Sequence, residues 1–586
     1  MTGRRALRVA LLAAVFAVVT AAMLRPWPSK IGDGMPQNLG DSVLITWILH
    51  WGAHALRTDP VHYFNGNVFW PAGNTLAYSD LLLPFVPVYG VSFGLTGNWP
   101  LSTNLTVLSM YGLSLTATYL LARRLIGSTP GSILAAFAFT FTGFHLSEWG
   151  HIQIDTLGLL PLSAYFAIRF LDERTWWTAV ATGVATASTL LAAVYFGLLW
   201  FVALAVLVAG YAAAKRFRPG RRFVAGWAVA AVVAVVLMAP ALYKYAAQGE
   251  RRGFEDYRGL KARDLVTPAY GSYLWKSDFT FDGAPALQEH GLYPGISVAV
   301  LAAVGAGVAA RSRRPTDGST QPEEAPLSPD ARLHLALLAV AGAIGTVLAI
   351  GPTALGVPMP FRLFHAVVPG FSGIRVYTRL AMMALLLVAV VAGGGLAWLL
   401  ARIHRPRLRW AAATVACAVV LVDLAAPLGF TDLPDDHATL AVYRRLADLP
   451  DGAVVEIPMV DAGILPAEWA YVEAPRMVYG TIDYHPRVNG YSATTPDTYK
   501  ADLDAFNAFP APPSVHRAFE LRVRYVVIHV GAATDHAALS EADARARIDA
   551  LPPTAEARRI GNSWLVDLGP VRPPDEAQVA SAGRRA

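Results

Sequence analysis

The chain has 586 residues, 54% of them hydrophobic and 15% charged, and a mean hydropathy of +0.41. Soluble globular proteins carry about 25% charged residues, so this shortfall, spread over many long apolar runs, excludes a soluble protein with one anchor and defines a polytopic membrane protein. The net charge of +6 sits in short basic clusters, which report topology rather than a nucleic-acid partner, and the single Cys417 excludes disulfides and cysteine metal sites.

Taken in order, Arg4, Arg5 and Arg8 precede an apolar stretch to Leu24, read as a signal anchor rather than a cleaved signal peptide. Further apolar stretches run over 101–121, 130–146, 156–171, 176–191, 196–214, 223–243, 292–310, 333–350, 380–400 and 410–427. Together these predict about eleven transmembrane helices. When the spans alternate, the basic clusters at Arg123-Arg124, Lys215-Arg216, Arg311 to Arg314 and Arg402 to Arg409 fall on one side. The expected orientation is a cytoplasmic N-terminus in a bacterial cytoplasmic membrane. Asp80 to Thr96 is apolar but short and holds Pro84 and Pro87, so it reads as an interfacial or re-entrant helix.

Beyond Phe430 charged residues return, with β-like runs at 454–458, 524–529 and 564–567 between helix-like segments. The expected fold class is mainly α. A transmembrane domain over 1–429, with its first extracytoplasmic loop at 25–100, precedes a small extracytoplasmic α/β domain at 430–570 and a disordered tail at 571–586.

Chemistry-bearing residues concentrate on the far side. The first loop holds Asp33 and Asp41, the latter opening an amphipathic run from Ser42 to Arg57 with Leu44, Trp47, Ile48 and Trp51 at helical spacing. That run predicts a helix lying in the interface with Asp41 at its N-cap, where the carboxylate either caps or serves as a base, with Asp33 as the alternative. His50 and His54 are spaced i, i+4, either as polar-face residues or, with Asp41 or Asp80, as ligands of a divalent ion such as Mn²⁺ or Mg²⁺. No cofactor is demanded. Glu148, His151 and Gln153, with Asp155, crowd a short turn between two spans, where ionisable groups usually face a cavity. The loop from Ala246 to Glu289 carries Arg251, Arg252, Lys261 and Arg263, and the loop before Tyr377 adds Arg375, with Arg379 just beyond. Guanidinium groups suit phosphate recognition; the alternative is pairing with acidic neighbours. Glu289 closes the candidate substrate-binding set.

The stretches Leu39-Gly-Asp-Ser-Val-Leu-Ile-Thr-Trp47, Val68-Phe-Trp-Pro71, Thr75 to Asp80, Gly150-His-Ile-Gln153, Leu160-Pro-Leu162 and Gly373 to Arg379 occur in an order that resembles the GT-C superfamily of integral-membrane glycosyltransferases. More narrowly, the chain resembles the bacterial branch related to glycosyltransferase family 39 and YfhO-like proteins. The resemblance implies inverting transfer of a sugar from a polyprenyl-phosphate carrier to a glycan, lipid or protein acceptor of the cell envelope. It makes Asp41 the base, with Arg375, Arg379 or the 251–263 cluster stabilising the leaving phosphate. Two other functions fit the same layout: a transporter or flippase for lipid-linked glycans, and a non-catalytic assembly protein.

Overall fold

The structure is a computed structural model describing residues 3–215, 220–248, 254, 258–269, 271–275, 288–311, 328–461, 469–531 and 538–570. The chain divides into two compact units. One is Met1–Gln37 with Asp80–Phe430; the other is Asn38–Ser79 with Thr431–Ala586.

The first unit is helical and makes the chain a multi-pass membrane protein. Among the described residues, seven helices are long and apolar enough to cross a membrane: Arg5–Met23, Trp99–Ile126, Ile152–Glu173, Val194–Ala214, Arg221–Gln248, Pro329–Ala349 and Tyr377–Ala401. The other four expected stretches fall on Thr129–Thr140, Trp176–Ala192, Ile296–Arg311 and Pro406–Leu424. The first of these stops at 12 residues because the chain leaves the helix at Phe141 and starts a short new one at Gly143, capped by Thr142. That break creates the polar turn discussed below. The helix Val86–Thr96 has 11 residues behind a 3₁₀ turn at Leu83–Phe85. It is too short to span, as the sequence suggests.

Small residues set how closely these helices approach. Gly131 faces Gly393, and Gly305 faces Gly395, so that a Cβ at Gly395 would collide with the Leu301 carbonyl. Gly395→Ala is therefore expected to destabilise the unit by roughly 1–3 kcal/mol through overpacking. Gly307→Ala, with open space around it, should be neutral. Thermal unfolding of both variants in detergent checks this.

The second unit is built on a four-stranded sheet. Its strands are β1 (Ala453–Ile457), β2 (Val523–His529), β3 (Glu556–Ile560) and β4 (Ser563–Asp567), in the order β1-β2-β4-β3. The β1 and β2 strands are parallel, with Val455 opposite Val526, and the remaining pairs are antiparallel. The backbone of 486–488 hydrogen-bonds along β1 through Val454 N to Pro486 O and Val488 N to Val454 O, at 2.8 and 2.9 Å. On its other side this segment meets the first loop. Arg487 N donates to Asn67 O at 2.9 Å, Trp70 N to Arg487 O at 2.7 Å and Phe69 N to Asn489 O at 3.0 Å.

This corrects the expected domain layout. Residues 38–79 were assigned by sequence to the transmembrane part, but they complete the α/β unit. The helix Asp41–Thr58 likewise buries Leu44, Trp47, Ile48 and Leu49 and packs on Trp469–Tyr479. Its apolar spacing serves a protein partner, whereas the sequence suggested headgroup-level tryptophans. The expected tail at 571–586 lies outside the described residues.

Candidate functional site

The first unit brings together residues from several far-apart stretches. Arg379, 6% exposed, points Nη2 at Glu148 Oε2 (3.4 Å) and Glu289 Oε1 (3.6 Å). His151 Nδ1 lies 3.0 Å from Glu148 Oε2, and Arg258 Nη1 reaches Glu289 at 3.5 Å. The guanidinium carbon stands 5.0 Å from the Tyr195 ring centre. The Tyr195 hydroxyl accepts from the backbone N–H of Arg375 (3.2 Å). Asp80 is tied down by the Val194 N–H at 2.8 Å. Burial pushes its carboxyl up, against that hydrogen bond and the attraction of Arg379. Among these groups Arg379 Nε is buried with no hydrogen-bond partner among the described residues. An N–H left so is expensive unless a ligand takes it.

The turn holding Glu148 and His151 is fixed from below. His145 Nδ1 contacts the Thr140 carbonyl at 2.7 Å, its Nε2 lies 2.9 Å from Asp155, and its ring stacks on Tyr111 at 4.4 Å. His145, Asp155 and Tyr111 are all fully buried. Gln153 is half-buried on the same turn, with its carboxamide oxygen unpartnered among the described residues. Lys261 caps the short helix Ala262–Val266 through its N–H to Asp264 (2.7 Å), and Arg263 lies in that helix. Arg251 and Arg252 lie outside the described residues. Asp33 is an exposed turn residue whose N–H reaches the Lys30 carbonyl.

Asp41 belongs to the second unit. It is the first residue of its helix, with Gly40 in the N-cap place that the sequence assigned to Asp41 itself. Its carboxylate accepts a hydrogen bond from the Tyr491 hydroxyl, and a carboxylate in a first helical turn suits the dipole. His50 and His54 converge on Tyr484. His50 Nε2 shares a hydrogen bond of 2.9 Å with its hydroxyl, and the His54 ring stacks on it at 3.9 Å. Burial, then the charges of His54 and Arg57, pulls His50 down to about 3. Among the described residues no group of three His, Cys, Asp or Glu side chains forms a metal donor set. The i, i+4 spacing is thus used on a tyrosine.

The same unit holds a buried charge network. Arg487 donates to Glu456 (2.9 Å) and Asp483 (2.7 Å), and Glu456 also accepts from Tyr443 (2.7 Å) and His529 (2.8 Å). Nearby, burial pushes the Glu473 carboxyl from 4.5 up to about 7, against Arg476 and with Glu456 adding to it. A carboxyl that holds its proton more tightly when folded makes stability fall as pH rises through 4.5 towards 7. Glu473→Gln is therefore expected to melt higher than the parent chain at about pH 8 and to show a flatter profile between about pH 5 and 8. Melting curves across that range check it.

These features define a many-helix membrane unit with a buried arginine among carboxylates, and an α/β unit, a fold shared with a solved membrane glycosyltransferase. No protein-family model and no curated protein matches the sequence. Among solved structures the chain is similar to the arabinofuranosyltransferase AftD from Mycobacteria, with a TM-score of 0.56, 16% identity, and coverage of 97% of this chain and 42% of that one. The chain thus spans less than half of AftD. It also aligns with ArnT from Cupriavidus metallidurans bound to undecaprenyl phosphate (TM-score 0.46, 14% identity, 96% and 98% covered) and with the Archaeoglobus fulgidus oligosaccharyltransferase (0.42, 14%, 89% and 69%).

Proposed function

We propose that the chain is an inverting glycosyltransferase that takes a sugar from a polyprenyl-phosphate carrier to an acceptor outside the cytoplasmic membrane. The observation that carries this reading is Arg379, a buried guanidinium in a membrane-spanning unit with an Nε–H that has no acceptor among the described residues. A phosphate oxygen is the ligand chemistry that such a donor fits. In the reaction, the acceptor hydroxyl oxygen forms a bond to the anomeric carbon while a carboxylate base takes its proton, the role that the sequence resemblance gives Asp41. The bond from that carbon to the phosphate oxygen breaks, and the electron pair leaves on the polyprenyl phosphate, whose growing charge Arg379 stabilises.

Asp41→Asn tests the base. General-base catalysis is worth about 10²–10⁴ in rate, so turnover should fall by at least about 100-fold while donor binding is kept. A panel of polyprenyl-phosphoryl sugars, starting with arabinofuranose because AftD is named for it, and run with and without Mn²⁺ or Mg²⁺, supplies the assay. Equal turnover by both proteins would move the base elsewhere.

A further inference from the structure

We propose that Trp469 and Tyr491 form a saccharide subsite in the second unit that seats a glycan acceptor beside Asp41; this rests on the transferase reading above. Trp469 opens the helix Trp469–Tyr479, and Glu473 follows one turn later on the same face. Residues 489–491 lie across that face. Asn489 Nδ2 donates to Glu473 Oε1 at 3.2 Å, and Tyr491 N donates to Met477 Sδ at 3.2 Å. The Tyr491 and Trp469 rings stand at 89° with centroids 4.9 Å apart, and the Tyr491 hydroxyl donates to Asp41.

Both rings are half-buried, not sealed in a core. Glu473 is fully buried, and its Oε2 has no hydrogen-bond partner among the described residues. A right-angled aromatic corner beside the Asp41 carboxylate matches one ligand class. A sugar ring lays its C–H face on an aromatic ring and gives its hydroxyl protons to acceptor oxygens. The carboxylate of Asp41 disfavours an anionic ligand here. Tyr491 is then also a positioning residue, since its phenol orients the carboxylate that takes the acceptor's proton.

The test uses the full chain in nanodiscs with octyl glycosides of arabinose, galactose, mannose and glucose, and n-octanol as the chain-only control, read by saturation-transfer NMR and titration without donor. At least one glycoside should bind while octanol does not. Trp469→Ala should weaken it at least tenfold and Trp469→Phe, which keeps a ring, by less. Tyr491→Phe should keep glycoside binding near the parent value and lower kcat rather than raise the acceptor KM. Binding of no glycoside, equal binding of octanol, or unchanged affinity in Trp469→Ala would overturn the subsite. If Trp469→Ala does not fold, the Trp469→Phe and Tyr491→Phe results decide. Donor turnover by the parent chain tests the transferase reading separately, so either can fail alone.

Discussion

Arg379→Met is expected to abolish transfer and to weaken the membrane unit. The two effects have different origins. Removing a donor aimed at developing charge lowers kcat by about 10²–10³. Removing the cation also takes one partner from Glu148, which is fully buried and keeps His151 at 3.0 Å, and from Glu289, which is 14% exposed and keeps Arg258 at 3.5 Å. Breaking one partner out of a buried ion pair typically destabilises by about 3–5 kcal/mol. Arg379→Lys separates them. It keeps the charge near both carboxylates but loses the planar fork and Nε–H, so it should retain most of the stability and little of the turnover. Transfer assays and thermal unfolding on the three proteins check this. Parent-like turnover in Arg379→Met would remove Arg379 from the chemistry.

Arg487→Met is expected to have the largest effect on the second unit. The side chain is 1% exposed and serves Glu456, Asp483 and the carbonyls of Gly480 and His485. Its backbone joins the first loop to β1. Losing the guanidinium leaves two carboxylates inside the unit, again about 3–5 kcal/mol. The pH dependence has a definite sign. Burial alone would raise the Glu456 carboxyl, but the hydrogen bond from His529 and the charge of Arg487 more than offset it and hold it at about 2, below its ordinary 4.5. That contribution is present above pH 4.5 and is lost as pH falls towards 2. In Arg487→Met the carboxyl loses that support, so the variant should lose stability most at neutral pH and least in acid, as melting curves from about pH 3 to 8 would reveal.

The membrane unit was largely legible in the sequence, because apolar length and the placement of arginines are local properties. Each of the eleven expected stretches falls on a helix. Glu148, His151 and Arg379 also stand out one by one at the ends of apolar segments, where ionisable groups need a partner. What stayed hidden was long-range pairing. Nothing near Asn67 says that its backbone will meet Arg487, and Trp47 at helical spacing reads the same whether it faces headgroups or another helix. Tyr195, inside an apolar run, carried no signal at all. It takes its meaning from Arg375 and Arg379, which reach it across the fold.

The most direct test of the account is the stereochemistry of a single reaction. Purified chain in nanodiscs, given a polyprenyl-phosphoryl sugar and an octyl glycoside, should release one polyprenyl phosphate per new glycosidic bond. NMR of the product should show the anomeric configuration inverted relative to the donor. Transfer with retention, or movement of the donor across the membrane with no bond formed, would contradict it.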